Sequence, residues 1–176
     1  SSIGKKMELE GTQRFSLNPG ELWELLRDPW ILQQALPSFT EIHKNENEDR
    51  WEIRFTIMFG QLEVRFQNTL VGTYRGEARV RDEQWPNSYW LHITGAGGPG
   101  SAAADGRITF SKDEEGTLLE YRGDVTVQGG FLGLGGRIMG VSMRLLISQF
   151  FKGLNEVLIS VIDNTSEHLN EKKQHS

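Results

Sequence analysis

The chain has no cysteine. That removes a disulfide framework, a zinc–thiolate centre and a cysteine nucleophile together, and it permits a reducing compartment. An excess of basic charge is missing too. Lys and Arg number 19 against 24 Asp and Glu, a net charge of −5. Nucleic-acid binders carry a basic stripe, and anionic lipid attracts basic clusters, so no nucleic acid is expected and membrane contact is at most peripheral. The histidines His43, His92, His168 and His175 lack metal-ligand spacing. No nucleophile motif and no carboxylate pair with an evident shared pocket is found, which argues for binding over catalysis. Ser1-Ser2-Ile3-Gly4-Lys5-Lys6 has no apolar region of the signal-peptide kind. The longest apolar region, Phe131 to Phe151, contains Arg137 and Arg144 and opens glycine-rich, so it reads as a poor membrane span.

Glycine, by contrast, is abundant. Of the 20 glycines, 13 lie between Gly95 and Gly140. Gly95, Gly97 and Gly100 spell G-x-G-x-x-G, the dinucleotide-binding fingerprint. That motif needs a strand before it and a helix after it, so that a pyrophosphate meets a helix N-terminus. The strand-like run Tyr89–Thr94 precedes it, but Ser101–Gly106 and then the β-like run Arg107–Phe110 follow. No helix fits, so a nucleotide cradle is not expected. Both glycine blocks, Gly95–Gly106 and Gly129–Gly140, read either as turns and close packing or as a mobile rim around a pocket mouth.

A length of 176 residues suits one domain. Met7–Phe15 alternates as a strand. Asn18-Pro19-Gly20-Glu21 reads as a capped helix start, and Asp28-Pro29 restarts a second helix that Pro37 ends. Trp51, Ile53, Phe55, Ile57 and Phe59 share a strand face, as do Leu62, Val64 and Phe66. Gly60-Gln61 then predicts a hairpin pairing Phe59 with Leu62, Ile57 with Val64 and Phe55 with Phe66. Tyr89–Gly95, Arg107–Lys112 and Thr117–Gln128 are further strands, with turn-length connections that imply an antiparallel sheet. From Leu134 to His168 the period is helical, with a wide apolar arc that includes Met139, Met143, Leu146, Phe150 and Leu154. One long helix and one long sheet must cover each other's apolar faces. The apolar stripe reads equally as filled core or as the lining of a cavity. Arg54, Arg65, Arg79, Arg81, Arg107 and Arg122 alternate with apolar residues and read as outer-face charges, any one of which can turn inward to a ligand oxygen.

Strand, two short helices, strands and a long C-terminal helix resemble the helix-grip superfamily, also called START-like, SRPBCC or polyketide cyclase-like. More specifically, Met7-Glu8-Leu9-Glu10-Gly11, Leu25-Leu26-Arg27-Asp28-Pro29 and Ala35-Leu36-Pro37 resemble the CoxG family of carbon monoxide dehydrogenase proteins. So do Gly95–Ala102, Gly116–Tyr121, Asp124–Gly130 and Leu132–Ile138 followed by Phe150-Phe151. Ser38 departs from the glycine usual in that family after Leu-Pro. The short polar tail after Leu169 departs from members with a long membrane-contacting extension.

The resemblance implies an α+β helix-grip fold, a seven-stranded antiparallel sheet wrapped around the C-terminal helix, with two short helices between strands 1 and 2. It implies a single domain over residues 7–169 with flexible ends at 1–6 and 170–176. It implies a non-enzymatic carrier of a hydrophobic small molecule, quinone-like or lipid-like, accessory to a molybdenum-containing hydroxylase of the CO dehydrogenase type. The alternatives are a polyketide cyclase or dehydratase-like enzyme and a pure assembly or membrane-recruitment factor. No cofactor and no metal are expected. The expected location is cytoplasmic, with any membrane contact on the inner face. The pocket lining is placed at Phe55, Ile57, Phe59, Val64, Phe66, Met139, Met143, Leu146 and Phe150, and the rim at Gly97, Gly98, Pro99, Gly100, Gly129 and Gly130.

Overall fold

A computed structural model describes residues 4–36, 38–45, 51–59, 72–98 and 100–174, except for the side chains of 59, 134–138, 165–169 and 174. The first strand, β1 (Lys5–Phe15), leads into two short helices, α1 (Pro19–Leu25) and α2 (Pro29–Ala35). Six strands follow: β2 (Phe39–Lys44), β3 (Glu52–Phe59), β4 (Gly72–Gln84), β5 (Ser88–Gly97), β6 (Gly100–Asp113) and β7 (Gly116–Gly129). A 3-10 turn (Gly130–Leu134) then delivers the chain into α3 (Gly135–Gln174), a helix of 40 residues. The fold is the helix grip that the element order implies.

The helix starts obey their caps. The Asn18 side chain accepts from the Glu21 backbone N–H at 2.9 Å, and Asp28 accepts from Trp30 N–H at the same distance. Each cap precedes a proline in the first turn, where a missing N–H costs nothing. The two helices carry the chain from one sheet edge to the other. The sheet order is β1-β7-β6-β5-β4-β3-β2, every pair antiparallel, so first and last strands are neighbours. The helices α3 and α2 cross in close contact at Gly153. A Cβ on Gly153 would collide with the Ala35 carbonyl oxygen, so only glycine lets these helices meet.

One expected pairing is corrected. Both edges of β3 are taken: Phe55 lies opposite Ile42 and Gly76, and Ile57 opposite Phe39 and Tyr74. Phe55 and Ile57 therefore cannot pair with Phe66 and Val64. Alternating apolar residues fix which face a strand buries but not which neighbour it takes. The expected turn at Gly60-Gln61 and residues Leu62, Val64 and Phe66 lie outside the described residues, as do Pro37 and Arg65. Strand β4 has the weaker pattern, with Gly76 and Ala78 at inward positions.

The interior is divided. A domain of this size ordinarily has one contiguous core. Here the buried side chains form three clusters. One gathers Phe15, Leu22, Trp23, Phe110, Leu119 and Leu154 at the α1 end. The second joins Leu9, Tyr74, Val125, Val127, Phe131 and Met139 at the opposite end. The third sets Leu32 and Ile42 against Ile53 and Ala78.

Candidate functional site

Where the clusters part, the middle row of the sheet has two adjacent glycines. Three inward rows, read across the strands, show this. The first is Gly11–Tyr121–Ile108–Tyr89 and the third is Met7–Val125–Ala104–Ile93. Between them runs Leu9–Gly123–Gly106–Leu91, with two adjacent glycines at its centre. A Cβ on Gly123 would lie 2.6 Å from the Gly106 Cα and would also strike the Asp105 carbonyl oxygen, so side chains are excluded there by the backbone itself. A hollow of about 240 Å³ lies over this floor. Ile147, Phe150 and Phe151 of α3 close it from above, and Leu26 from the end of α1.

Its wall is apolar except for tyrosine. Asp105, Arg122 and Asp124 border the floor, but they alternate with the inward residues and pair with His92, Glu10 and Lys6. The Tyr121 ring lies 5.9 Å from Phe151, centroid to centroid, and its hydroxyl reaches over Gly11 on the edge strand, where any Cβ would collide with it. Burial holds the Tyr121 pKa above its ordinary value, while the Arg144 charge acts the other way. Tyr89 is raised much further by burial, against a lowering effect of Arg27. Both tyrosines are therefore neutral donors across the physiological range.

Behind Tyr89 stands an arginine that the alternating pattern on the strands does not reveal. The Arg27 guanidinium centre lies 4.5 Å from the Trp23 ring centroid, 5.4 Å from Tyr89 and 5.9 Å from Trp51. It is ion-paired with Glu83, and its buried Nε has no hydrogen-bond partner among the described residues. The strand arginines Arg54, Arg79, Arg81, Arg107 and Arg122 are exposed. Trp51 donates from Nε1 to the Arg27 carbonyl oxygen at 3.1 Å.

Of the residues expected to line a pocket, Phe150 borders the hollow. Met139 is fully buried in the second cluster, and Met143 packs beside it, so the hollow sits one to two helical turns further along α3. Leu146 is half-buried on α3. Phe55 packs against the third cluster, 5.7 Å from Phe39, and Ile57 is half-buried on the same strand. The side chain of Phe59, and all of Val64 and Phe66, lie outside the described residues.

The expected rim glycines come together at one end of the sheet. Gly97 pairs with Gly100, and Gly100 with Gly129, so the G-x-G-x-x-G stretch closes a hairpin. Gly98 sits in its turn, and Pro99 lies outside the described residues. Gly130 begins the 3-10 turn. This end is roofed by Tyr74 and Phe131, stacked at 5.9 Å, and none of these glycines borders the hollow. A Cβ on Gly97 would meet the Tyr74 ring at 2.8 Å, so the glycine makes room for an aromatic plug.

The residues that do form the hollow, Leu91, Ile93, Ala104, Gly106, Ile108 and Gly123, carried a readable signal. Ala102, Ala104 and Gly106 alternate as small inward residues on one strand, opposite Gly123. Among the described residues, no group of three or more His, Asp or Glu is placed to hold a metal.

A curved sheet gripping a helix with a hollow between them defines the START-like, helix-grip class. The profile of the carbon monoxide dehydrogenase CoxG family matches residues 11–159, and the chain belongs to that family. Among solved structures it is similar to a conserved protein from Geobacillus kaustophilus, at 27% identity and a TM-score of 0.73, covering 88% of this chain and 96% of that one. A protein of unknown function from Staphylococcus aureus shares the fold at 12% identity and a TM-score of 0.63, over 91% of this chain and 98% of that one. A protein from Rhizobium loti does so at 13% identity and a TM-score of 0.61, over 89% and 98%. No curated protein matches the chain.

Proposed function

We propose that this protein is a non-catalytic carrier of a hydrophobic small molecule, quinone-like or lipid-like, accessory to a molybdenum-containing hydroxylase of the CO dehydrogenase type. The partner enzyme comes from the family name alone. The observation that carries the ligand reading is the apolar hollow of about 240 Å³ where a filled core would be more stable. An apolar cavity of roughly 150 Å³ accepts benzene, and drug-sized pockets begin near 300 Å³. The space therefore suits a fused ring pair or the head of a longer chain. Burying about 250 Å² of such a molecule is worth about 6 kcal/mol, a Kd on the order of tens of micromolar. Both tyrosines on the wall are held as weak acids, which supports holding over proton transfer at neutral pH. The test is a tryptophan-fluorescence titration with menadione. Saturable quenching supports the carrier reading, and its absence with every apolar probe up to the solubility limit refutes it.

A recruitment role has its own observation. The described helical stretch Met139–Asn164 is long and apolar enough to span a membrane by length and composition, with mean hydropathy 1.5. This differs from the reading of Phe131–Phe151, because the window that qualifies begins beyond Arg137 and runs past Phe151. Its Met139, Leu154 and Leu158 are buried against the sheet, while Ile159 and Ile162 are 60% and 50% exposed. In this reading the protein is cytoplasmic and touches the inner membrane face through that exposed end. Flotation with vesicles tests it: Ile159→Glu with Ile162→Glu abolishes co-flotation if the reading holds and leaves it unchanged if it does not.

A further inference from the structure

We propose that the Tyr121 hydroxyl is the polar end of the hollow and holds a carbonyl oxygen of the ligand. The inference rests on the carrier reading and adds what the bound molecule must carry.

Four observations converge on this position. Tyr121 forms part of the wall, and its hydroxyl lies at the β1 side of it, over Gly11. The hydroxyl has no hydrogen-bond partner among the described residues. A donor without a protein partner is open to an acceptor on a ligand in place of water. Gly11, directly opposite Tyr121 in the ladder, leaves room for the hydroxyl on β1. Arg144 also has no ion-pair partner among the described residues, and its charge is felt at the Tyr121 hydroxyl.

The chemistry of the pair narrows the ligand. A neutral tyrosine offers one O–H, and a guanidinium offers donors and no acceptor. A donor on an otherwise apolar wall, with a cation outside it, matches an acceptor oxygen on an apolar body. Arg144 is exposed, so water screens its charge and it adds less than a buried cation would. This favours a neutral carbonyl over a carboxylate. Tyr89, the other tyrosine of the wall, does not offer the same site. It is wedged between Trp23 at 4.8 Å and Phe110 at 5.6 Å, and it stacks on Arg27.

The experiment titrates the 176-residue chain with menadione and with methylnaphthalene, its hydrocarbon analogue. The variants are Tyr121→Phe and Arg144→Gln, each checked for folding by its thermal transition. Wild type is expected to prefer the quinone by roughly threefold to tenfold, the value of one net hydrogen bond. Tyr121→Phe should remove that preference and leave hydrocarbon binding unchanged. Arg144→Gln should weaken only the quinone, by about twofold. An unchanged quinone-to-hydrocarbon ratio in Tyr121→Phe overturns the inference while leaving the carrier reading intact. Naphthoate binding more tightly than menadione overturns the carbonyl assignment. Wild type that binds neither probe overturns the carrier reading and this inference with it. Should Tyr121→Phe fail to fold, the wild-type ratio decides: equal affinity for menadione and methylnaphthalene overturns the inference.

Discussion

Replacing Ala104 by leucine should make this protein more stable and unable to bind. Its side chain points into the hollow from the row that also holds Val125 and Ile93. At about 24 cal/mol per Å³, a void of about 240 Å³ forgoes at most about 6 kcal/mol of packing relative to a filled interior. Leucine adds three carbons, worth about 0.8 kcal/mol each on burial, against a rotamer cost of about 0.5–1 kcal/mol. The net is about 1.5 kcal/mol, a rise in Tm of about 3–6 °C for a chain of this size. The assay pairs thermal unfolding with the menadione titration. Higher Tm with binding reduced at least about tenfold is the expected result, since the space is shared. A fall in Tm of similar size with binding intact would mean that Ala104 faces a close-packed interior, and the reasoning from the glycine floor would fail.

Four further outcomes follow from the same contacts. Gly123→Ala should destabilise the fold by about 2–4 kcal/mol in chemical denaturation, because the clash is with backbone, while Gly95→Ala, which meets nothing within 4 Å, should change stability by less than about 1 kcal/mol. Arg27→Lys keeps the charge but loses the flat guanidinium stacked on Trp23 and Tyr89, so stability should fall by about 1–2 kcal/mol with little dependence on salt. Alkaline pH should destabilise the protein. Tyr89 and Tyr121 are raised above 10.0 in the folded state, so their contribution is complete below pH 10.0 and is lost as pH rises through the folded values. Tyrosinate absorbance should then appear together with unfolding rather than before it. Gly153→Ala should separate α2 from α3 and lower stability by at least about 2 kcal/mol, read by denaturant unfolding.

The architecture was legible because its signals are local. Asn18-Pro19 and Asp28-Pro29 start helices through their own side chains, and the wide apolar arc from Met139 to Leu158 demands a sheet to cover it. Strand partners were not legible, since the choice of β4 over a hairpin for Phe55 and Ile57 is made by the whole sheet. The site was half legible. Large apolar residues such as Met139 attract attention as pocket walls, yet they are the ones that fill space. A hollow is made by what is small, and Ala104, Gly106 and Gly123 reveal it only when strand register sets them side by side. Arg27 was hidden for a related reason: a residue just past a short helix has no alternation to show that it points inward.

The central claim is that the space above Gly106 and Gly123 holds an apolar molecule. Native mass spectrometry of the purified protein, before and after addition of menadione, tests it most directly. The account predicts a one-to-one adduct, whether co-purifying or added, that is lost in Ala104→Leu. A wild-type spectrum with the bare chain mass alone under both conditions would contradict it.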